Sequence, residues 1–259
     1  TVAFDIALND AFAPAFTLTG VGLSAVTNDT LVTFTAIELP PFLGSGTEAD
    51  PFQIWTVADL KKLDELVDGG ETYAGKYFKQ MDNIDFDGVT DWGAIGIVGN
   101  GAAAFCGIYD GDNKTISNLS TTSTASYSGI LFNNFDNGEL KNLTVNVNVD
   151  QAGGFGLIGG ASAMMVSYVT VTGKIYGTHH CGAFVAFGQH ADERSTFVDC
   201  VNEATVASSK SAGGFYGKPQ GVLPTFIRCV NKGTIGDVEA GKASTLGAFE
   251  SEGNGCYLI

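Results

Sequence analysis

Three kinds of side chain in this sequence have chemistry to offer. Acids gather at Asp82, Asp85, Asp87 and Asp91, and again at Asp110 and Asp112. Carboxylates converging on an exposed strand face serve acid–base hydrolysis of a glycosidic bond, or hold calcium beside a basic residue for elimination. Asp85-Phe86-Asp87-Gly88 and Asp110-Gly111-Asp112-Asn113 also place several hard oxygen donors on short segments, the ligand type that calcium takes. Neither run has the spaced ligands and closing Glu of an EF-hand loop. Asp and Asn favour turns for backbone reasons alone, so turn formation is the expected role of both.

The second kind is imidazole beside thiol. His179 and His180 adjoin Cys181, and His190 follows. Such groups bind metals or activate nucleophiles, but neighbours on an extended strand point to opposite faces and cannot share a site without a bend. A solvent-facing loop is therefore expected there. No Gly-x-Ser-x-Gly frames a serine. The third kind is the thiol itself. Cys106, Cys181, Cys200, Cys229 and Cys256 form no zinc pattern, and five is an odd number for a complete disulfide framework. Small apolar core positions suit them better, with a Cys200, Cys229 and Cys256 column the place where a disulfide could form. Asn28, Asn113, Asn118 and Asn142 head Asn-x-Ser/Thr sequons, a number that a Thr- and Asn-rich chain reaches by composition. No catalytic, cofactor-binding or metal-ligating residue is assigned, and no cofactor is expected.

The elements that must position these residues are mostly strands. Residues 1–42 hold alternating apolar runs, Val2–Leu8 and Thr30–Ile37, too few for an independent sandwich, so these strands are expected to need partners elsewhere. Pro40-Pro41 and Gly44-Ser45-Gly46 mark a boundary. A linker and capping helix occupy 43–75: Thr56 is the N-cap, Asp59 its capping-box partner, Leu60, Leu63, Leu66 and Val67 the apolar stripe, and Gly69-Gly70 the stop. Such a helix can seal the open end of a stack of strands.

Residues 76–259 repeat. A small-residue-plus-aromatic element recurs as Gly129-Ile130-Leu131-Phe132, Gly153-Gly154-Phe155, Gly182-Ala183-Phe184, Gly213-Gly214-Phe215 and Gly247-Ala248-Phe249. A second element, Cys200-Val201-Asn202, returns as Cys229-Val230-Asn231, with Leu143-Thr144-Val145 and Val169-Thr170-Val171 in the corresponding place. Repeats of this length without a helix in each unit predict an all-β, right-handed parallel β-solenoid whose phenylalanines stack turn upon turn.

The run Asp50–Thr56 with its helix, then Gly75–Lys79, Asn83–Phe86 and Phe105–Leu119, resembles the opening of β-solenoid regions in bacterial surface proteins carrying GLUG-type repeats. The Cys-Val-Asn units resemble the body of such regions, and the resemblance covers about 45–259. Gly156-Leu157-Ile158-Gly159 matches the signature, whereas Gly182-Ala183-Phe184 and Gly247-Ala248-Phe249 depart from it. The resemblance implies a secreted or surface-anchored, adhesin-like protein.

Composition narrows the partners. A formal charge of −15 and a pI near 4.3 leave no excess of Lys and Arg to displace counterions from phosphates, which excludes nucleic acid. No run reaches the roughly 20 apolar residues of a membrane helix. The chain begins at Thr1 without Met or an apolar leader, which suits a processed product or an excised segment. The expectation is an extracellular or cell-surface, non-enzymatic protein of adhesin-like or structural role. It would meet surface glycans, proteins or copies of itself, the last by head-to-tail donation of strands from residues 1–42 and Cys256–Ile259. The alternative is a polysaccharide lyase or hydrolase, or a glycan-binding β-helix protein.

Overall fold

The computed structural model describes residues 5–7, 23–28, 31–36, 40–99, 103–188, 194–219, 223–236, 245–250 and 257–259. They fall into two compact units, Thr1–Pro41 and Phe42–Ile259.

In the first unit β1 (Asp5–Ala7), β2 (Leu23–Asn28) and β3 (Leu31–Ala36) form an antiparallel sheet in the order β1-β3-β2. Asp5 lies opposite Thr33, and Leu23 to Asn28 lie opposite Ala36 to Leu31. These strands pair with one another within the segment. The central strand β3 is paired on both sides within the segment, and a separation of two residues from β2 is the hairpin length that antiparallel pairing uses.

The second unit opens with β4 (Phe52–Ile54), the edge strand of a long parallel sheet, followed by α1 (Val57–Asp68). The Asp59 N–H donates to the Thr56 hydroxyl at 3.3 Å, and the Thr56 N–H donates to the Asp59 carboxylate at 2.9 Å, so two orphan donors are satisfied reciprocally. Leu60, Leu63 and Val67 are buried and Leu66 half-buried, as the stripe requires. Gly69 closes the helix with its N–H on Glu65 O.

From there the chain coils into a β-solenoid of about six turns. The first turns carry β5 (Tyr77–Gln80), β6 (Ile84–Asp85), β7 (Ile108–Leu119) and β8 (Ser128–Asp136). Next come β9 (Glu139–Asp150), β10 (Phe155–Ser162), β11 (Met165–Gly177), β12 (His180–Gly182) and β13 (Val185–Gly188). A further turn breaks into β14 (Thr196–Val198), β15 (Val201–Asn202), β16 (Thr205–Ser208), β17 (Ser211–Gly213) and β18 (Tyr216–Lys218). The last described turn holds β19 (Thr225–Ile227), β20 (Val230–Asn231), β21 (Ile235–Gly236) and β22 (Thr245–Gly247), before β23 (Tyr257–Leu258). The long sheet runs β4-β5-β7-β9-β11-β14-β19-β23, with β15, β16, β20 and β21 extending its later rungs. A second sheet stacks β8, β10, β13 and β18, and a third stacks β12, β17 and β22.

Register produces columns. Tyr109, Leu140, Val166, Phe197 and Phe226 lie one above another, all buried. A second inward column holds Leu143, Val169, Cys200 and Cys229, so the correspondence of Leu143-Thr144-Val145 with Val169-Thr170-Val171 and the Cys-Val-Asn elements is observed directly. From β9 onward two residues separate the two columns in each of these turns, which breaks the period of two. The break is made by one left-handed residue per turn: Asn142 (φ 52), Tyr168 (φ 54), Asp199 (φ 52) and Arg228 (φ 49). Stacked in register, these form one corner of the coil.

The phenylalanine column holds three of the five copies that the repeat predicts. Phe184 stacks on Phe215 at 4.5 Å and Phe215 on Phe249 at 5.1 Å, while Gly182, Gly213 and Gly247 align beside them. A Cβ on Gly182 would lie 2.3 Å from Val185 O and 2.5 Å from Phe215 O, so the stacked turns admit no side chain there. The two earlier copies are out of this column. Ile158 lies opposite Val185, which puts Leu157 rather than Phe155 level with Phe184, and Ile158 also lies opposite Phe132, which an extra residue in β8 after Gly129 has moved one place along. Phe132 packs instead against Phe105 and Phe135.

Candidate functional site

The acids close corners. Asp85 Oδ1 accepts the Asp87 N–H at 3.0 Å and the Asn118 amide at 2.8 Å; Asp110 Oδ1 accepts the Asp112 N–H at 2.9 Å and the Asn142 amide at 3.0 Å. These are the same Asx turn made twice, each tied to an Asn whose own backbone is left-handed. Asp112 pairs with Lys79 at 3.0 Å and Lys114 at 3.3 Å, and Asp91 with Lys61 at 2.5 Å. Hydrogen bonding to Asn118 holds the Asp85 carboxyl below its ordinary range, and Lys79 does the same for Asp112. Asp110–Asn113 is not a loop between strands; it is a corner inside β7, with Asp112 at φ 48 and Asn113 at φ 60. Asn113, Asn118 and Asn142 of the sequons all sit at such left-handed positions, which explains why Asn recurs there. Asn28 lies in β2.

The histidines form a cluster that the alternation argument missed. The chain bends after β11, so both rings meet Tyr127: His180 stacks on it at 5.8 Å and His179 meets it edge-on at 5.2 Å. His180 is fully buried, and its Nδ1 lies 2.5 Å from Ser211 Oγ on the next turn. His179 Nε2 lies 3.0 Å from Lys210 Nζ, and Phe187 completes the aromatic wall 4.2 Å from Tyr127. The expected solvent-facing loop is thus corrected to a packed corner. A buried Ser–His contact has the composition of a nucleophilic pair, but Ser211 has no exposed surface, so a substrate carbonyl reaches it only if the turn opens. Burial pushes the neighbouring Cys181 thiol up to about 12. His190 and Cys256 lie outside the described residues.

The accessible candidate is the outer face of the long sheet. Leu143, Val145, Val169 and Val171 point inward, which turns Thr115, Thr144 and Thr170 outward in one register column. Beside it the Asn146 amide donates to Thr172 Oγ1 at 3.0 Å across the turn. Lys174 bridges to Asp150 at 2.8 Å and lies 5.0 Å over the Tyr176 ring. At the end of the same strands, a cavity of about 270 Å³ is lined by Thr90, Trp92, Ser120, Thr121, Thr122 and Gln151, with Val89. None of these side chains is charged. Among the described residues no helix is long and apolar enough to cross a membrane.

No protein-family model matches the chain. It is 30% identical over 208 residues to Halomucin of Haloquadratum walsbyi, a match covering 71% of this chain and 2% of that protein. The chain therefore spans a very small part of its relative's length. It is similar in structure to a "putative immunoglobulin A1 protease" from Bacteroides ovatus, with a TM-score of 0.60 and 17% identity over 80% of this chain and 73% of that one. At that identity the likeness is one of fold. The expectation of a non-enzymatic protein is corrected by it, because a chain of this architecture carries a protease's name, and the solenoid by itself does not exclude catalysis.

Proposed function

We propose that this chain is a repeat-built segment of an extracellular, cell-surface protein, and that the outer face of its long sheet binds a neutral glycan in the manner of an adhesin. The carrying observation is the in-register outward column Thr115, Thr144 and Thr170, flanked by Asn146 and Thr172. Hydroxyls and amides repeated at the strand spacing of about 4.8 Å suit a polyhydroxylated chain laid across the strands. The uncharged pocket beyond the strand ends suits the same ligand class. A net charge of −15 disfavours acidic polysaccharides. The Halomucin relative and the resemblance to GLUG-type surface solenoids support the location.

The test is a binding screen of the purified chain on immobilised neutral and acidic glycans, with Thr144→Val/Thr170→Val as the comparison. Valine keeps the shape and strand propensity and removes both hydroxyls. Retention on a neutral glycan, weakened about tenfold in the variant as two lost hydrogen bonds imply, is the expected result. Equal binding by the variant, or retention on acidic glycans alone, overturns the reading. Following product release in the same samples, and in parallel with immunoglobulin A1, tests whether the chain also cleaves.

A further inference from the structure

Cys200 and Cys229 share an inward column on successive turns. The flanking register fixes this, with Val198 opposite Ile227 and Val201 opposite Val230. Each follows a left-handed corner residue, Asp199 or Arg228. Each thiol donates to the carbonyl two residues back, Val198 O at 3.4 Å and Ile227 O at 3.5 Å, so the two side chains repeat one geometry and the sulfurs lie one above the other. Each thiol shifts the ionisation of the other, as neighbours on successive turns do. Neighbouring parallel strands about 4.8 Å apart fall within the Cα separation of about 4.4–6.8 Å that a disulfide spans. Cys200 is fully buried and Cys229 only half-buried, so a solvent-borne reagent meets Cys229 first.

We propose that Cys200 and Cys229 are a disulfide-forming pair that clips two successive turns together when the protein meets a low-molecular-weight disulfide. The Cys229 thiolate attacks one sulfur of that reagent, forming a mixed disulfide and expelling a small thiolate, which takes up the proton Cys229 released. The Cys200 sulfur then attacks Cys229 Sγ, and its proton leaves with the second small thiol. Two protein thiols are oxidised and one small disulfide is reduced to two thiols. The Cys200 contact holds the Cys229 thiol below its ordinary range and burial raises that of Cys200, which fits this order of attack. The inference is independent of the glycan reading.

The full chain, reduced and then incubated with oxidised glutathione, is alkylated under denaturing conditions and mapped by mass. The expected result is a loss of two hydrogens, a peptide pair joined through Cys200 and Cys229, and Cys106, Cys181 and Cys256 alkylated. Thermal unfolding of the oxidised wild type should rise by several degrees, because the link closes a loop in the unfolded chain, and Cys229→Ser and Cys229→Ala should show neither link nor rise. The inference is overturned if both cysteines are alkylated after oxidation, if glutathione remains on Cys229, or if Cys229 joins any cysteine other than Cys200.

Discussion

Tyr168 and Asn142 occupy the same corner on adjacent turns, with φ of 54° and 52°, yet only one is suited to it. A left-handed backbone costs an ordinary L-residue about 1–2 kcal/mol, and Asn tolerates it because its short amide bonds locally. Tyr168 is largely exposed, so its ring contributes little to the core. Tyr168→Asn should therefore stabilise the chain by about 0.5–1 kcal/mol, and Asn142→Val should destabilise it by about 1–2 kcal/mol. Urea unfolding of the two variants checks both signs; a destabilised Tyr168→Asn would mean that the ring packs in a way its exposure does not suggest. The same corner logic explains the sequons and the acids together. Asn is chosen where the backbone turns left-handed, and Asp where its carboxylate can close the turn.

At the scale of the element, α1 carries a titration. Asp64 on its inner side accepts the Gly96 N–H at 3.2 Å, and burial, with repulsion from Asp68, raises its pKa to about 6. A carboxyl whose folded pKa lies above its unfolded value of 3.8 binds its proton more tightly in the native state, so stability falls as pH rises between about 4 and 6. Half of the side chain is solvent-screened, which reduces the effect to roughly 1 kcal/mol. Asp64→Asn keeps an oxygen acceptor for Gly96 and loses the charge. Its thermal unfolding should be higher than wild type at pH 7 and equal to it near pH 4, and a constant difference across that range would reject the assignment. The ladder Asn202 to Asn231 is a second element-scale device. The amide of Asn202 donates to Asn231 Oδ1 at 2.9 Å, while Asn202 Oδ1 accepts Ala204 N–H at 2.8 Å, so the inward column that holds Val145 and Val171 in earlier turns becomes polar without an unsatisfied group.

For the whole molecule, 28 acids against 13 Lys and Arg leave a charge of −15 on a stack of similar turns. Cross-turn pairs such as Arg228 with Asp199 and Lys232 with Glu203 offset neighbouring charges locally, but the excess stays acidic. Screening shortens the reach of repulsion from about 30 Å at 0.01 M salt to about 3 Å at 1 M. The unfolding temperature should therefore rise with sodium chloride, by a few degrees over that range, measured at pH 7. A fall would mean that the ion pairs between turns, which salt weakens, outweigh the repulsion.

The sequence by itself determined the class of fold, the capped helix with its stripe, and the equivalence of the Cys-Val-Asn elements with their apolar predecessors. All of these are written in local pattern: a capping box spans four residues, and inward and outward positions alternate along one strand. Tertiary structure alone decided what depends on register between turns. It placed Phe184, Phe215 and Phe249 in one column and left Phe132 and Phe155 out, paired the strands of residues 5–36 among themselves, and folded His180 onto Tyr127 and Ser211. Register is set by the summed packing of whole turns. A single extra residue in β8, or one bend after β11, moves a motif to a new neighbour while leaving its local sequence unchanged.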